Sequence, residues 1–166
     1  MTDWNAISQL SARLGAKAKA AGVTVTSAES CTGGLIAGAI TDIAGSSSWF
    51  DEAFITYANA AKMRRLGVSD DSLSRHGAVS KAVVKEMAEG ARLAAKADLA
   101  VATSGIAGPD GGSIDKPVGT VWMAWASATE VECRCFHFSG DRQAVRLQAV
   151  FAALSGLLEK IPPYRG

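Results

Sequence analysis

The sequence predicts a single α/β domain over residues 1–166, built as three α/β/α layers around a mixed β-sheet. Three observations carry this prediction. Helical and strand patterns alternate along most of the chain, which is typical of a sheet covered by helices on both faces. The run Leu99–Thr103 is apolar without interruption, as in a central strand buried on both faces. The two strand patterns after it are joined by a short polar turn, which predicts an antiparallel pair beside the parallel strands.

The first half of the chain alternates between the helical and the strand pattern. Apolar residues recur at helical spacing up to Gly22, and a glycine commonly follows the last turn of a helix. β-branched and aromatic residues indicate two strands. The predicted elements are a helix over 6–21, a strand over 23–26, a helix over 33–40, a strand over 53–57, and a helix over 59–66 with Asn59 as its N-cap and Gly67 as its stop.

The second half begins with a longer amphipathic helix and ends with another. Ser80 is the expected N-cap of the first, and Pro162 and Pro163 end the second. Between them, five glycines and prolines in residues 104–112 predict an irregular loop. The predicted elements are a helix over 80–97, strands over 99–103, 119–126 and 131–138, and a helix over 141–161.

Composition excludes several function classes. The 17 basic residues nearly balance the 16 acidic ones, so no net field attracts nucleic acid or an anionic membrane. No signal peptide or membrane span is found, and we expect a cytoplasmic protein. Three cysteines without a CxxC pair predict no metal site, and Cys133 and Cys135 are expected to pack as small apolar side chains. Neither a GxGxxG fingerprint nor a GK[ST] phosphate loop is present, so no cofactor is expected.

Ser30 is the candidate nucleophile. It follows the first predicted strand, and ligands collect at the carboxyl ends of strands in such sheets. Cys31, Thr32 and Gly33 are expected to open the next helix, so that their free N–H groups form an oxyanion hole beside the Ser30 hydroxyl. The alternative is that Ser30, or Thr32, is simply the N-cap of that helix. Cys31 is not expected to act as a thiolate of a cysteine phosphatase loop, because Ala stands where that loop needs arginine.

Lys62 is the candidate base. The contexts of His76 and His137 do not suggest a Ser-His-Asp triad, and both histidines are expected to be structural. Lys62 falls in the first turn of a predicted helix, where the helix dipole, partial burial and the neighbouring Arg64 and Arg65 would favour its neutral amine. The alternative is an exposed surface lysine. The Tyr57 hydroxyl either orients Lys62 or the substrate, or the ring only packs.

Arg142 is the candidate anion ligand. It opens the last predicted helix, where free N–H groups and a fork-shaped guanidinium could hold a phosphate together. The alternative is a solvated arginine beside Asp141 as a plain N-cap. The loop at 105–112 is interpreted as a wall that lets a substrate approach the main chain closely.

Five segments, in this order, closely resemble the CinA C-terminal domain family: Ala28–Gly34, Phe54–Tyr57 with Asn59 and Lys62, His76–Ser80, Ser104–Gly112, and Lys116–Val121. The resemblance spans about residues 23–150. It implies the family fold and a homo-oligomer. The C-terminal tail and the pair Cys133 and Cys135 fall outside the family pattern.

The stand-alone members that this chain resembles are nicotinamide-nucleotide amidases, which convert nicotinamide mononucleotide and water to nicotinate mononucleotide and ammonia. The resemblance therefore implies a small-molecule nucleotide substrate, with Ser30 as nucleophile, Lys62 as base and Tyr57 assisting. Two other functions stay open: a non-catalytic sensor of pyridine nucleotides, and an amidase for another small carboxamide. The expected substrate-binding residues are Asn59, Ser104, Gly105, Ala107, Gly108 and Arg142.

Overall fold

Helices and strands alternate in the computed structural model, which describes residues 1–163. The helices are α1 (Trp4–Ala21), α2 (Leu35–Thr41), α3 (Asn59–Leu66), α4 (Asp70–His76), α5 (Lys81–Ala95) and α6 (Arg142–Lys160), with a 3₁₀ turn at Ser46–Ser48. The strands are β1 (Val25–Glu29), β2 (Phe54–Ile55), β3 (Leu99–Gly105), β4 (Thr120–Ala126) and β5 (Val131–His137). The last three residues of the C-terminal tail, 164–166, lie outside the described part of the chain.

The five strands form one mixed sheet in the order β2-β1-β3-β4-β5. Strands β2, β1 and β3 run parallel, and β4 and β5 are antiparallel to their neighbours. The chain moves from β1 outward to β2 and then returns to place β3 on the other side of β1. The carboxyl ends of β1 and β3 are therefore a topological switch point, where sheets of this kind leave a crevice.

Two hydrophobic cores, one on each face of the sheet, make the three layers. One core joins α1, α2 and α6 to the sheet, and it contains Leu14, Ile40 and Leu154. The other packs α3 and α5 on the opposite face, with Leu66 and Met87 buried against small strand residues. The predicted α/β/α class with a mixed sheet is confirmed.

Local signals set most helix ends. The Asp3 carboxylate accepts a hydrogen bond from the Ala6 N–H at the start of α1, and Gly22 ends that helix with φ of 67°. Ser80 caps α5 by accepting from the Val83 N–H, as predicted. Gly67 ends α3 in the left-handed conformation, also as predicted.

Several boundaries and elements differ from prediction: strand β1 is Val25–Glu29 and not 23–26, and strand β2 is only Phe54–Ile55 within the predicted 53–57. The N-cap of α3 is Ala58, and Asn59 is the first helical residue, without a side-chain cap. The helix predicted from residue 33 begins at Leu35. Strand β3 continues to Gly105, because pairing with β4 extends to Gly105 opposite Val121, so the predicted loop loses its first residues. Helix α4 was not predicted, because none of its residues is buried and it has no apolar stripe to detect.

Within residues 1–163, no helix has both the length and the apolar character that crossing a bilayer requires.

Candidate active site

A cavity of about 290 Å³ opens at the switch point. Parallel pairing places Glu29 of β1 beside Ile55 of β2 and Thr103 of β3, so the segments that leave these three strands meet at one edge. Ten of the predicted site residues line the cavity: Ser30, Cys31, Tyr57, Asn59, Lys62, Ser104, Gly105, Ala107, Gly108 and Arg142. Thr32 and Gly33 do not line it.

Lys62 and Ser30 are in direct contact. The Lys62 Nζ lies 2.9 Å from the Ser30 Oγ. It also donates to the main-chain carbonyls of Thr56 at 2.7 Å and Tyr57 at 3.0 Å. Lys62 is only 1% exposed, so the interpretation as a surface lysine is wrong. In this arrangement a neutral amine can accept a proton from the serine hydroxyl, as a base does from a nucleophile.

Burial favours the neutral form of the Lys62 amine. Desolvation lowers the pKa of Lys62 from 10.5 to about 8. The expected help from Arg64 and Arg65 is not found, because both side chains are exposed to solvent and burial alone accounts for the lowered pKa. About a tenth of the enzyme would then carry the neutral amine at pH 7, and about half at pH 8.

Glu29, which was not predicted as a site residue, organises the turn that presents Ser30. Its carboxylate is fully buried and accepts hydrogen bonds from the N–H groups of Gly34, Ile36 and Ala37 at 3.1, 2.9 and 3.0 Å. The Thr32 hydroxyl donates to it at 2.7 Å. The N-terminus of α2 therefore meets Glu29 and not the Ser30 hydroxyl. The interpretation of Ser30 or Thr32 as the helix cap is wrong, since the N-cap is Gly34.

The turn between β1 and α2 leaves two N–H groups available. Ser30 N–H donates to the Thr103 carbonyl, and Gly33 N–H donates to the Ser30 carbonyl. Gly33 thus cannot supply the oxyanion donor that was predicted for it. Among the described residues, the N–H groups of Cys31 and Thr32 donate to no main-chain carbonyl, and Cys31 also lines the cavity. The Cys31 N–H is therefore a main-chain donor that lies at the cavity beside Ser30.

Comparisons with known proteins place this geometry in a family. The model of the CinA C-terminal domain matches residues 7–161. The chain belongs to the CinA C-terminal domain family. It is 61% identical to the nicotinamide-nucleotide amidohydrolase PncC of Enterobacter agglomerans, over 92% of this chain and 94% of that protein. It is 57% identical to the nicotinamide-nucleotide amidohydrolase PncC of Escherichia coli strain K12, over 96% and 97% of the two chains.

Solved structures agree with the family assignment. The competence/damage inducible protein CihA from Agrobacterium tumefaciens superposes with a TM-score of 0.91 at 44% identity, covering 93% of this chain and 94% of that one. The residues of the cavity all lie inside the matched segment of the CinA C-terminal domain. This chain therefore has the fold that its resemblance to the CinA family predicted.

Tyr57 contributes to this CinA domain differently from the sequence-based expectation. Its carbonyl, and not its hydroxyl, contacts the Lys62 amine and lies 3.5 Å from the Ser30 Oγ. The hydroxyl accepts from Arg142 Nη2 at 3.2 Å, and the side chain is 60% exposed at the cavity rim. Tyr57 therefore positions Lys62 through its main chain and Arg142 through its side chain.

Arg142 lines the cavity of the CinA domain at the start of α6. Its guanidinium donates to the Gly108 carbonyl at 2.9 Å as well as to Tyr57. The Asp141 carboxylate accepts from the Ala144 N–H, so one N–H group that the prediction assigned to a phosphate is already bonded. What remains available to an anion is mainly the guanidinium itself, tethered at one wall of the cavity.

The remaining candidate side chains, the cysteines and the two histidines, show no sign of a reactive role at the cavity. Burial raises the pKa of the Cys31 thiol to about 11, so it is not a thiolate at neutral pH. His76 and His137 do not line the cavity. Cys133 packs against the core beside α5, as expected, but Cys135 is exposed, so that part of the packing prediction is wrong.

Two cavity residues, Ala78 and Val79, were given no role by sequence reasoning, and three more belong to the predicted wall at 105–112 without having been singled out: Ile106, Asp110 and Gly111. All five belong to segments that carry the resemblance to the CinA family, which was the available signal. Ala78 and Val79 were given no role because helix α4, which delivers them to the cavity, has no pattern of its own.

Proposed function

We propose that this domain is a serine amidohydrolase that converts nicotinamide mononucleotide and water to nicotinate mononucleotide and ammonia. The observation that carries the proposal is the 2.9 Å contact between the buried Lys62 amine and the Ser30 hydroxyl, inside a cavity beside an available main-chain N–H. The names of the PncC relatives, which align over nearly their whole length, supply the substrate.

Lys62 acts as the base in its neutral form. A neutral amine has two N–H groups and one lone pair. If the two N–H groups donate to the Thr56 and Tyr57 carbonyls, the lone pair is left facing the Ser30 hydroxyl. These carbonyls therefore orient the base as well as holding it, and Lys62 accepts the serine proton as the bond to the substrate forms.

Ser30 attacks the carboxamide carbon, and the Cys31 N–H, which lies at the cavity, stabilises the oxyanion of the tetrahedral intermediate. The protonated Lys62 returns its proton to the leaving nitrogen, and ammonia departs. The remaining acyl-enzyme is an ester of Ser30. Water, deprotonated by Lys62, hydrolyses this ester to release nicotinate mononucleotide and regenerate the serine hydroxyl.

The phosphate, ribose and ring of the substrate are held by other residues of the cavity. Arg142 binds the 5′-phosphate, because its guanidinium is the cation fixed at the cavity by Gly108 and Tyr57. Ser104, Gly105 and Ala107 form the close wall against which the ring and ribose lie, and Asn59 contributes from the start of α3. A cytoplasmic location, a homo-oligomeric state and one amidase domain over residues 1–166 are parts of the same proposal.

Ammonia release from three related carboxamides tests the substrate. Nicotinamide mononucleotide, nicotinamide riboside and free nicotinamide differ only in the phosphate and the ribose. We expect rapid turnover of the mononucleotide, slower turnover of the riboside, and least of nicotinamide. Equal turnover of free nicotinamide would indicate a different carboxamide as substrate. Calorimetric binding of the mononucleotide without ammonia release would indicate a non-catalytic sensor.

A further inference from the structure

A second arginine of helix α6 holds the nucleophile turn from outside the cavity. Arg146 lies four residues after Arg142 on the same helix face. Its Nε donates to the Cys31 carbonyl at 3.0 Å, and its Nη2 lies 3.4 Å from the Thr32 carbonyl. Arg146 does not line the cavity, so it has no direct route to a substrate there.

The planarity of the peptide bond connects these carbonyls to the available N–H groups. In a trans peptide the C=O of one residue and the N–H of the next point in opposite directions within one rigid plane. Arg146, by fixing the Cys31 carbonyl, therefore fixes the Thr32 N–H. The Thr32 carbonyl accepts from the Leu35 N–H at 2.9 Å and from the same guanidinium, and together these contacts orient the Gly33 N–H.

Gly33 passes this constraint to the cavity. Its N–H donates to the Ser30 carbonyl at 3.0 Å, and the Ser30 carbonyl shares a peptide plane with the Cys31 N–H. The Cys31 N–H, which lies at the cavity, is thus oriented by the guanidinium through the Thr32 carbonyl, the Gly33 N–H and the Ser30 carbonyl. A cation on these carbonyls also polarises the peptide units, which makes their N–H groups stronger donors.

Gly33 also makes room for the guanidinium. A Cβ at this position would lie 3.1 Å from Arg146 Nη2, and the residue has φ of 56°. The turn therefore takes the conformation and the bare backbone that let Arg146 approach its carbonyls.

We propose that Arg146 is a positioning residue that fixes the Cys31 N–H, the oxyanion donor beside Ser30, by holding the Cys31 and Thr32 carbonyls. The inference rests on the proposed serine amidase function. It gives Arg146 a role distinct from that of Arg142. Arg142 acts on the bound substrate, whereas Arg146 acts on the transition state through the main chain.

The kinetic consequence is a fall in kcat with little change in KM. Removing one oxyanion donor outright costs about 10²- to 10³-fold in kcat in serine hydrolases. Arg146→Met keeps the aliphatic stem and leaves the Cys31 N–H in place with poorer alignment, so we expect a loss in kcat of about 10- to 100-fold. Arg146→Lys can reach one carbonyl but not span both, and we expect it to fall between the wild type and Arg146→Met.

The test compares wild type, Arg146→Met, Arg146→Lys and the control Arg92→Met. Arg92 is a matched control because it is also partly buried and donates to a main-chain carbonyl, that of Ala97, near the start of β3 and away from the cavity. Two readouts are taken. The first is kcat and KM for nicotinamide mononucleotide. The second is the rate at which a fluorophosphonate phosphonylates Ser30, with loss of fluoride, followed by intact mass.

The two readouts separate failure of the inference from failure of the proposed function. The expected result is a lower kcat at a KM within about threefold of wild type, together with slower phosphonylation, in both Arg146 variants but not in Arg92→Met. Unchanged kcat and phosphonylation in folded Arg146→Lys would overturn the inference. If the wild type does not turn over the mononucleotide, the substrate assignment fails, and the phosphonylation rates still decide the role of Arg146.

Discussion

Lys62 shows how a side chain that is usually exposed becomes a buried amine in contact with a serine hydroxyl. Its helix position was predictable from Asn59–Gly67, but its burial was not, because a lysine has no local signal that distinguishes a solvated from a buried location. The three acceptors around its amine come from Ser30 and from the main chain of Thr56 and Tyr57. The expected electrostatic help from neighbouring arginines failed because those side chains extend into water.

The activity of the domain should rise with pH through the pKa of Lys62. The base is competent only when neutral, and its pKa in the folded protein is about 8. We therefore expect kcat/KM for nicotinamide mononucleotide to increase about tenfold per pH unit below pH 7 and to level off above pH 9. Initial rates in buffers of constant ionic strength measure this. A profile that is flat from pH 6 to 9 would contradict a neutral lysine base.

The same pKa makes stability depend on pH. Lys62 has a folded pKa of about 8 and an ordinary value of 10.5, so between these pH values the unfolded chain binds more protons. The charged buried amine thus costs stability below pH 8, and that cost disappears as pH rises toward 10.5. Relative to Lys62→Met, the wild type should gain about 2–3 kcal/mol in free energy of unfolding between pH 7.5 and 10.

Urea unfolding of the two proteins in parallel measures this difference. Lys62→Met is the matched reference, because the other titrating groups are common to both proteins and cancel. A difference in unfolding free energy that stays constant with pH would mean that Lys62 titrates in the folded protein as it does in water.

At the scale of elements, helix ends were more predictable than element identities. Gly22, Gly67 and Ser80 act through groups a few residues away, so the sequence carries their signals directly. Helix α4 and the two-residue strand β2 depend on tertiary contacts. The sequence patterns therefore missed α4 and predicted a strand β2 that was too long. The turn after β1 belongs to this second group, since Glu29 holds it through acceptor contacts that no spacing rule identifies.

Contact between α3 and α5 gives a prediction at this scale. A Cβ on Gly90 of α5 would collide with the Leu66 carbonyl at the end of α3, a main-chain atom that cannot move aside easily. Gly90→Ala should therefore lower the free energy of unfolding by about 1–3 kcal/mol, although alanine is the better helix former.

Gly38 of α2 is the matched control. It is also helical, and a Cβ there would meet nothing within 4 Å. Gly38→Ala should raise the free energy of unfolding by about 0.5–1 kcal/mol. Chemical denaturation measures the free energy of unfolding of both variants. A Gly90→Ala variant more stable than the wild type would show that α3 and α5 are not packed as described.

At the scale of the whole molecule, the site depends on the order of strands. Ser30, Lys62 and Gly105 come from three separate parts of the chain, and only the order β2-β1-β3 brings them to one cavity. Local patterns predicted the strands but not their neighbours, and the resemblance to the CinA family supplied the grouping. The contact of Arg142 with Tyr57, 85 residues apart, lies wholly beyond local patterns.

Arg142 gives a prediction that depends on this assembly. Arg142→Ala should raise KM for nicotinamide mononucleotide by about 10- to 100-fold with little change in kcat, because a contact to the phosphate is lost in the ground state and the transition state alike. The same variant should leave kcat/KM for nicotinamide riboside within about threefold of wild type, since that substrate has no phosphate. An equal loss on both substrates would assign Arg142 to the structure of the cavity rather than to the phosphate.

The contact between Ser30 and Lys62 is the central claim, and kcat at saturating nicotinamide mononucleotide tests it most directly. Wild type, Ser30→Ala and Lys62→Ala are compared by ammonia release, with exposed Lys81→Ala as the control. The account predicts that Ser30→Ala and Lys62→Ala each lose at least about 10³-fold in kcat, while Lys81→Ala is unchanged. Retention of activity within about tenfold of wild type by folded Ser30→Ala would contradict a serine nucleophile.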